Sequence, residues 1–241
     1  MCLEIKPGAL FISDAHYSQR EPQFLNLLKS IDSGKIETTQ LLLCGDIFDL
    51  LFKPIATTVE INIEAINLLN KISKRVEAIY LEGNHDFCLE GIFTDMQIIP
   101  LSRQPLVCSY RKQRVYVAHG DFNQPFSYHL YSKIIRNTFA LKLLNVLDVV
   151  LKNRILNSLQ SYLMRKNNHH NIEDFDQFVL SHIEPLKLES CDTLVEGHYH
   201  QGLSFELQNG ARYINLKAFV CSGEIGVVED SEQFSLRWEH V

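Results

Sequence analysis

Five short polar clusters punctuate this chain, in the order Asp14-Ala15-His16, Gly45-Asp46-Ile47-Phe48-Asp49, Gly83-Asn84-His85-Asp86, His119-Gly120-Asp121 and Gly197-His198-Tyr199-His200. Four of them directly follow apolar runs that read as buried strands, at residues 9–13, 41–44, 78–81 and 115–118, and the fifth follows residues 193–196. A strand that ends in a metal-ligating side chain, repeated five times, lines one edge of a sheet with carboxylates, an amide and imidazoles. Any one cluster is weak evidence, because Asp-x-His and Gly-Asp after a strand are usually turns or caps. The ordered set is the pattern expected of a dinuclear metal centre.

The residue types fit that chemistry. Two cations about 3.5–4 Å apart need one ligand that touches both, and a carboxylate does this best. Asp46 is the bridging candidate. The period-2 spacing of Asp14 and His16 places both on one side of an extended segment. With Asp46 and His200 they would hold one metal, while Asn84, His119 and His198 join Asp46 on the other. Mixed carboxylate, amide and imidazole ligation favours manganese, with iron or zinc as alternatives, over calcium. No thiolate belongs to the set, which argues against a structural zinc site.

The chain is 241 residues with 46% hydrophobic content and a net charge of −6, which bounds it to one large domain with an ample core. No leader of the secretory type and no 18-residue apolar run is visible. The six cysteines lack disulfide or metal spacing, with Cys44 read in one strand and Cys221 in another, which fits reduced thiols in a cytoplasmic protein. An acidic pI of 5.9 argues against a surface that tracks nucleic acid. Strands are expected near 9–13, 41–44, 78–81, 106–110, 114–118, 193–196, 203–207, 212–216, 224–228 and 234–238, with helices near 22–32 and 59–73. Early βαβ alternation predicts parallel pairing, and late strands joined by turns such as Asn209-Gly210 predict antiparallel pairing.

Between His119 and His198 the pattern breaks. Residues 127–166 are rich in aliphatics and carry seven basic residues (Lys133, Arg136, Lys142, Lys152, Arg154, Arg165, Lys166) against the single acid Asp148. Two helices with apolar faces and cationic flanks are expected there. They point to an amphiphilic substrate or an anionic membrane surface, or alternatively to a helical pair packed on the core or in a dimer interface.

The ordered clusters resemble those of the calcineurin-like metallophosphoesterases, and the resemblance runs from the first strand to the C-terminal strands. It implies a four-layer α/β/β/α sandwich, a single domain over residues 1–241 with a helical cap inserted at about 124–185. It also implies a metal-dependent hydrolase that uses Asp14, His16, Asp46, Asn84, His119, His198 and His200 as ligands. His85 would stabilise a phosphoryl oxygen or protonate the leaving group, oriented by a carboxylate such as Asp49, which is otherwise a helix cap. Within that superfamily the size, the His-Gly-Asp form at 119–121 and the insert resemble the UDP-2,3-diacylglucosamine diphosphatases of lipid A biosynthesis. Those enzymes cleave a nucleotide-linked glycolipid pyrophosphate at the inner membrane, where they bind peripherally.

This second resemblance places Asn84, Asn123, Tyr128 or Tyr131 beside the substrate and Arg165 and Lys166 near its sugar phosphate. It makes Lys133 and Arg136 further sources of attraction for anions. The chain departs from that branch at His85, where relatives carry Arg, and at Phe122-Asn123, where Thr-Leu is expected. Three readings follow: a lipid A pyrophosphatase, a soluble phosphodiesterase or nucleotide phosphatase, and a metal-free binding scaffold of the same fold. The oligomeric state has no signature in the sequence.

Overall fold

The computed structural model describes residues 3–19, 21–124, 126–163, 165 and 171–241. Two six-stranded mixed sheets face one another. The strands in chain order are β1 (Leu3–Glu4), β2 (Leu10–Ile12), β3 (Gln40–Leu43), β4 (Leu51–Phe52), β5 (Glu77–Leu81), β6 (Asp86–Phe87), β7 (Met96–Ile99), β8 (Leu106–Tyr110), β9 (Gln113–Ala118), β10 (Thr193–Glu196), β11 (Ser204–Glu206), β12 (Arg212–Asn215), β13 (Glu224–Val228) and β14 (Leu236–His240). The first sheet has the order β14-β13-β2-β3-β5-β7, parallel from β2 to β7. The second has the order β1-β8-β9-β10-β12-β11, with β9, β10 and β12 parallel. β4 and β6 form a separate parallel pair.

Period-2 side-chain alternation builds the layers. Phe11, Leu42, Ile79 and Leu81 point inward to meet Val115, Val117, Val195 and Ile214 of the opposing sheet. Their neighbours Leu10, Ile12, Leu41, Leu43 and Tyr80 point outward onto the helices α1 (Gln23–Asp32) and α3 (Ile63–Ile72). On the far side Leu194 and Tyr213 pack against Phe175, Val179 and Ile183 of α7 (Phe175–Ile183). The result is the four-layer α/β/β/α sandwich that the sequence led us to expect.

Several local expectations are corrected. The helix expected at 59–73 is two, a short α2 (Ala56–Glu60) and α3. The break lies at Asn62, whose buried amide donates to the carbonyls of Leu50 and Thr58, 2.9 and 2.8 Å away, in competition with a continuous helix. Among the described residues of the segment 127–166 there are three helices where two were expected: α4 (Phe126–Ile135), α5 (Thr138–Val150) and α6 (Arg154–Leu163). Asn137 caps α5 by accepting from Phe139 N and Ala140 N, and Lys152 and Asn153 turn the chain in the left-handed region. Asp148, the one acid there, accepts from the nitrogens of Ile155 and Leu156 at the start of α6. Cys221 lies in the short helix α8 (Phe219–Ser222) and not in a strand, and Cys44 lies just past β3. The last strand begins at Leu236 instead of residue 234. The strands β1, β4, β6 and β7 were too short or too polar to read.

Candidate metal centre

All five clusters converge at the C-terminal ends of β2, β3, β5, β9 and β10. Among the described residues three groups of potential ligand atoms form, the atoms of each within 4.8 Å of one another: Asp14 with His16 and His200, His16 with Asp46 and His85, and Asp46 with His119 and His198. Asp46 falls in two of them. Asn84 joins the third, its Oδ1 lying 3.2 Å from His119 Nε2.

The backbone that presents these groups is not the extended segment expected from the spacing. Asp14, His16, Asp46, His198 and His200 all have positive φ, between 43° and 66°. Left-handed residues with side chains are uncommon and cluster at functional sites, where surrounding structure holds the strain. Here much of that holding is done by Asp86, which the sequence reading gave no role. Its two carboxylate oxygens accept from the nitrogens of Asp46, Ile47, Phe48 and Gly83 and from the Tyr80 hydroxyl, at 2.6 to 3.1 Å. Gly83 must be glycine because a Cβ there would occupy the space of the Asp46 carboxylate. A second unforeseen clamp is Asn215. Its amide donates to the carbonyls of Glu196 and Gly197 and its oxygen accepts from Gln201 N, which pins the loop that carries His198 and His200.

Hydrogen bonds fix how several imidazoles face. A carbonyl only accepts, so His119 Nδ1, 3.0 Å from Cys44 O, carries the proton and leaves Nε2 toward Asn84 and Asp46. His85 Nδ1 likewise donates to Asp49 O at 3.0 Å, which leaves Nε2 facing Asp46 Oδ2 at 3.9 Å. The Asp49 carboxylate, anticipated behind His85, is found beside His16. It lies 3.2 Å from His16 Nδ1, so it orients that ring while its own main chain orients His85. A carboxylate behind a ligating imidazole is the arrangement that raises ligand basicity at metal sites.

The electrostatics call for cations. Asp14, Asp46 and His119 are all buried, with at most 3% of their surface exposed. Burial alone would push His119 down, yet the Asp46 carboxylate overrides it and raises the ring to about 10. Burial also opposes ionisation of Asp14, but His200, 3.1 Å away, holds it well below the usual carboxylate range. His198 is pushed down to about 4, first by burial and then by the charge of His119. Buried carboxylates that recruit protons onto their neighbouring imidazoles, in an oxygen and nitrogen donor set, fit a pair of divalent cations.

The substrate-side candidates divide. Tyr128 donates to Asp121 Oδ2 at 3.1 Å and its own hydroxyl is pushed up, chiefly by burial and then by Asp121. Tyr131 is exposed and its ring lies 6.2 Å from that of Tyr128. Asn123 donates to His182 O at 2.7 Å, so its amide already has a partner. Arg165 is exposed in a turn after α6, and Lys166 lies outside the described residues. Arg136, expected to add attraction for anions, is already engaged: its guanidinium sits against Glu82, Gly83 and Asp121. His182 is buried on α7 with Nε2 3.3 Å from Glu196 Oε2, a helix-packing partner.

The calcineurin-like phosphoesterase family model matches residues 9–202, which span every cluster above. The chain belongs to that family. It is 24% identical over 200 residues to a UDP-2,3-diacylglucosamine hydrolase of Proteus mirabilis, covering 80% of this chain and 81% of that protein. It is 23% identical over 233 residues to a protein of the same name from a Shewanella species, covering 91% and 92%. Among solved structures, Yfce, a phosphoesterase from E. coli, overlays with a TM-score of 0.44 at 15% identity, covering 97% of this chain and 98% of that one.

Proposed function

We propose that this phosphoesterase hydrolyses the pyrophosphate of UDP-2,3-diacylglucosamine to UMP and 2,3-diacylglucosamine 1-phosphate. The observation that carries the reading is an apolar insertion, built against the donor cluster, that leaves most of its apolar surface uncovered. Leu141 and Leu156 anchor α5 and α6 on Phe52 and Phe87 of the β4–β6 pair and on Leu50 just before β4. Many of the other apolar side chains on those helices are bare: Phe139 is 77% exposed, Val150 73% and Tyr162 67%, with Leu143, Val146 and Leu147 also open. A phosphoesterase for small soluble substrates has no use for such a face, whereas acyl chains contribute about 0.8 kcal/mol per buried methylene. The names of the relatives point to the same substrate.

Asp14, His16, Asp46 and His200 would hold one divalent cation and Asp46, Asn84, His119 and His198 the other, manganese being the expected ion. When bound, such a pair neutralises charge on phosphoryl oxygens and acidifies water. The chain supplies the rest. His85, with Nδ1 committed to Asp49 O, offers Nε2 to a phosphoryl or leaving oxygen. Within the segment expected as a cap, 124–185, the helices α4, α5 and α6 act as the cap, while α7 belongs to the sandwich. The cap's bare apolar residues, flanked by Lys142, Lys152 and Arg154, rest on an anionic membrane from the cytoplasmic side. Among the described residues no helix is long and apolar enough to cross a bilayer.

A second reading, a soluble phosphodiesterase, is favoured by His85, the residue the wider superfamily carries where the lipid branch has Arg. Purified protein with Mn should be compared on UDP-2,3-diacylglucosamine, UDP-glucosamine and bis(p-nitrophenyl) phosphate. The lipid should exceed UDP-glucosamine by orders of magnitude in kcat/KM. Equal rates on the two would replace the lipid reading by the soluble one.

A further inference from the structure

Arg136 follows the last residue of α4, yet its contacts lie on the loops that carry the second half of the metal centre. Nη2 donates to Gly83 O at 2.8 Å, and that carbonyl shares a peptide plane with the nitrogen of Asn84. The same nitrogen lies 3.4 Å from Asp121 Oδ2, two residues after His119, and Nη1 lies 3.4 Å from Glu82 Oε2. The guanidinium sits over the Phe87 ring at 4.8 Å, and the Arg136 carbonyl accepts from Cys88 Sγ at 3.4 Å. Ser132, one turn back on α4, accepts from Nε at 3.1 Å and holds the stem.

Asp121 is fully buried, and its other oxygen, Oδ1, has no partner among the described residues. A half-satisfied buried carboxylate depends heavily on the cation it does have. One planar side chain from the insertion therefore spans both loops, 82–88 and 119–121, that present Asn84, His85 and His119. Lysine could not replace it, because its single ammonium nitrogen cannot occupy both the Nη2 position, on Gly83 and Asp121, and the Nη1 position, on Glu82.

We propose that Arg136 is a positioning residue for the second metal half-site, and that through it the insertion sets the geometry of Asn84, His85 and His119. This rests on the dinuclear reading above, but not on the lipid substrate. The metal half-site is thus shared between the sandwich and its insertion.

The test uses the full chain and bis(p-nitrophenyl) phosphate, which is too small to draw on the apolar face. Mn binding is followed by calorimetric titration and by metal analysis of the gel-filtered protein, and the melting temperature is measured without metal. In R136A the weaker of two Mn affinities and kcat should each fall about 10–100-fold, the usual cost of losing support behind a ligand. KM should hold steady, and added guanidinium should restore part of kcat. R136K, which keeps the charge and the stem, should show the same loss in smaller measure, and it carries the test if R136A does not fold.

The proposal is overturned if either variant lowers only the melting temperature and leaves Mn affinity and kcat alone. It is equally overturned if KM rises with kcat untouched, since Arg136 would then be an anion-binding residue. Wild-type protein that binds no Mn removes this inference and the dinuclear reading together. Hydrolysis of the small diester without hydrolysis of the lipid removes only the lipid substrate.

Discussion

Replacing Asp86 with Asn should cost about 2–6 kcal/mol of stability, although the side chain keeps its volume and leaves no cavity. The carboxylate accepts five hydrogen bonds, two on Oδ1 from Asp46 N and Gly83 N, and three on Oδ2 from Ile47 N, Phe48 N and the Tyr80 hydroxyl. An amide has one accepting oxygen, so its NH2 must face one of these two sets. Either orientation turns at least two buried donors against another donor, and each orphaned donor costs about 1–3 kcal/mol. Against a typical total of about 5–15 kcal/mol this is a severe loss. Urea unfolding of the metal-free protein measures it directly, as a lower midpoint at unchanged slope. Two bound Mn should also become fewer, because Asp46 and Gly83, the neighbour of Asn84, are both held from Asp86. A variant within about 1 kcal/mol of wild type, still holding two Mn, would show that these five contacts do not hold the loops.

Three further outcomes are expected. Asp46→Ala should empty both metal positions, whereas His16→Ala should weaken mainly one; mass-spectrometric metal analysis separates them, and two Mn per chain in the Asp46 variant would end its bridging assignment. His119, raised from 6.5 to about 10 in the metal-free fold, contributes stability that is fully present below about pH 6.5 and is lost as pH climbs toward 10. Melting temperatures of metal-free protein should accordingly fall between pH 6.5 and 8.5, and Mn binding, which needs the unprotonated ring, should tighten about tenfold per pH unit there; a flat profile would contradict the pairing with Asp46. Phe139→Glu with Val150→Glu should abolish sedimentation with phosphatidylglycerol vesicles at low salt while leaving hydrolysis of bis(p-nitrophenyl) phosphate intact, and vesicle binding that survives would take the membrane contact away from this face.

Much of the candidate centre was legible because its candidate ligands are local events: each sits within a few residues of an apolar strand, and strands of one sheet end along one edge. The two-sheet core was legible for a similar reason, since Leu10-Phe11-Ile12 and Leu41-Leu42-Leu43 alternate between the two sides of their sheet. What escaped was long-range or conformational. Nothing in the spacing of Asp14 and His16 shows that both are left-handed. Asp49 lies beside the histidines, but the carboxylate and the main-chain carbonyl of one residue can serve different rings, and here they serve His16 and His85 respectively. Arg136 reads as one more cation in a basic segment until the fold brings it to Gly83, 53 residues away. Four strands of two to four residues fell below the length at which periodicity carries information.

The insertion has two faces that obey different physics. Its buried face is small and specific: Leu141 and Leu156 against the β4–β6 pair, and Tyr128 and Arg136 on the polar clusters. Those contacts suffice to place it. The exposed aliphatics of α5 add nothing to that placement, and a continuous bare apolar surface invites aggregation unless something covers it. Under the proposed function, residues that do no work in folding and carry such a liability serve binding. Their cationic neighbours Lys142, Lys152 and Arg154 narrow the binder to something both apolar and negatively charged. Acyl chains joined to a pyrophosphate, and the anionic membrane that holds them, meet both requirements, and a soluble nucleotide meets only one.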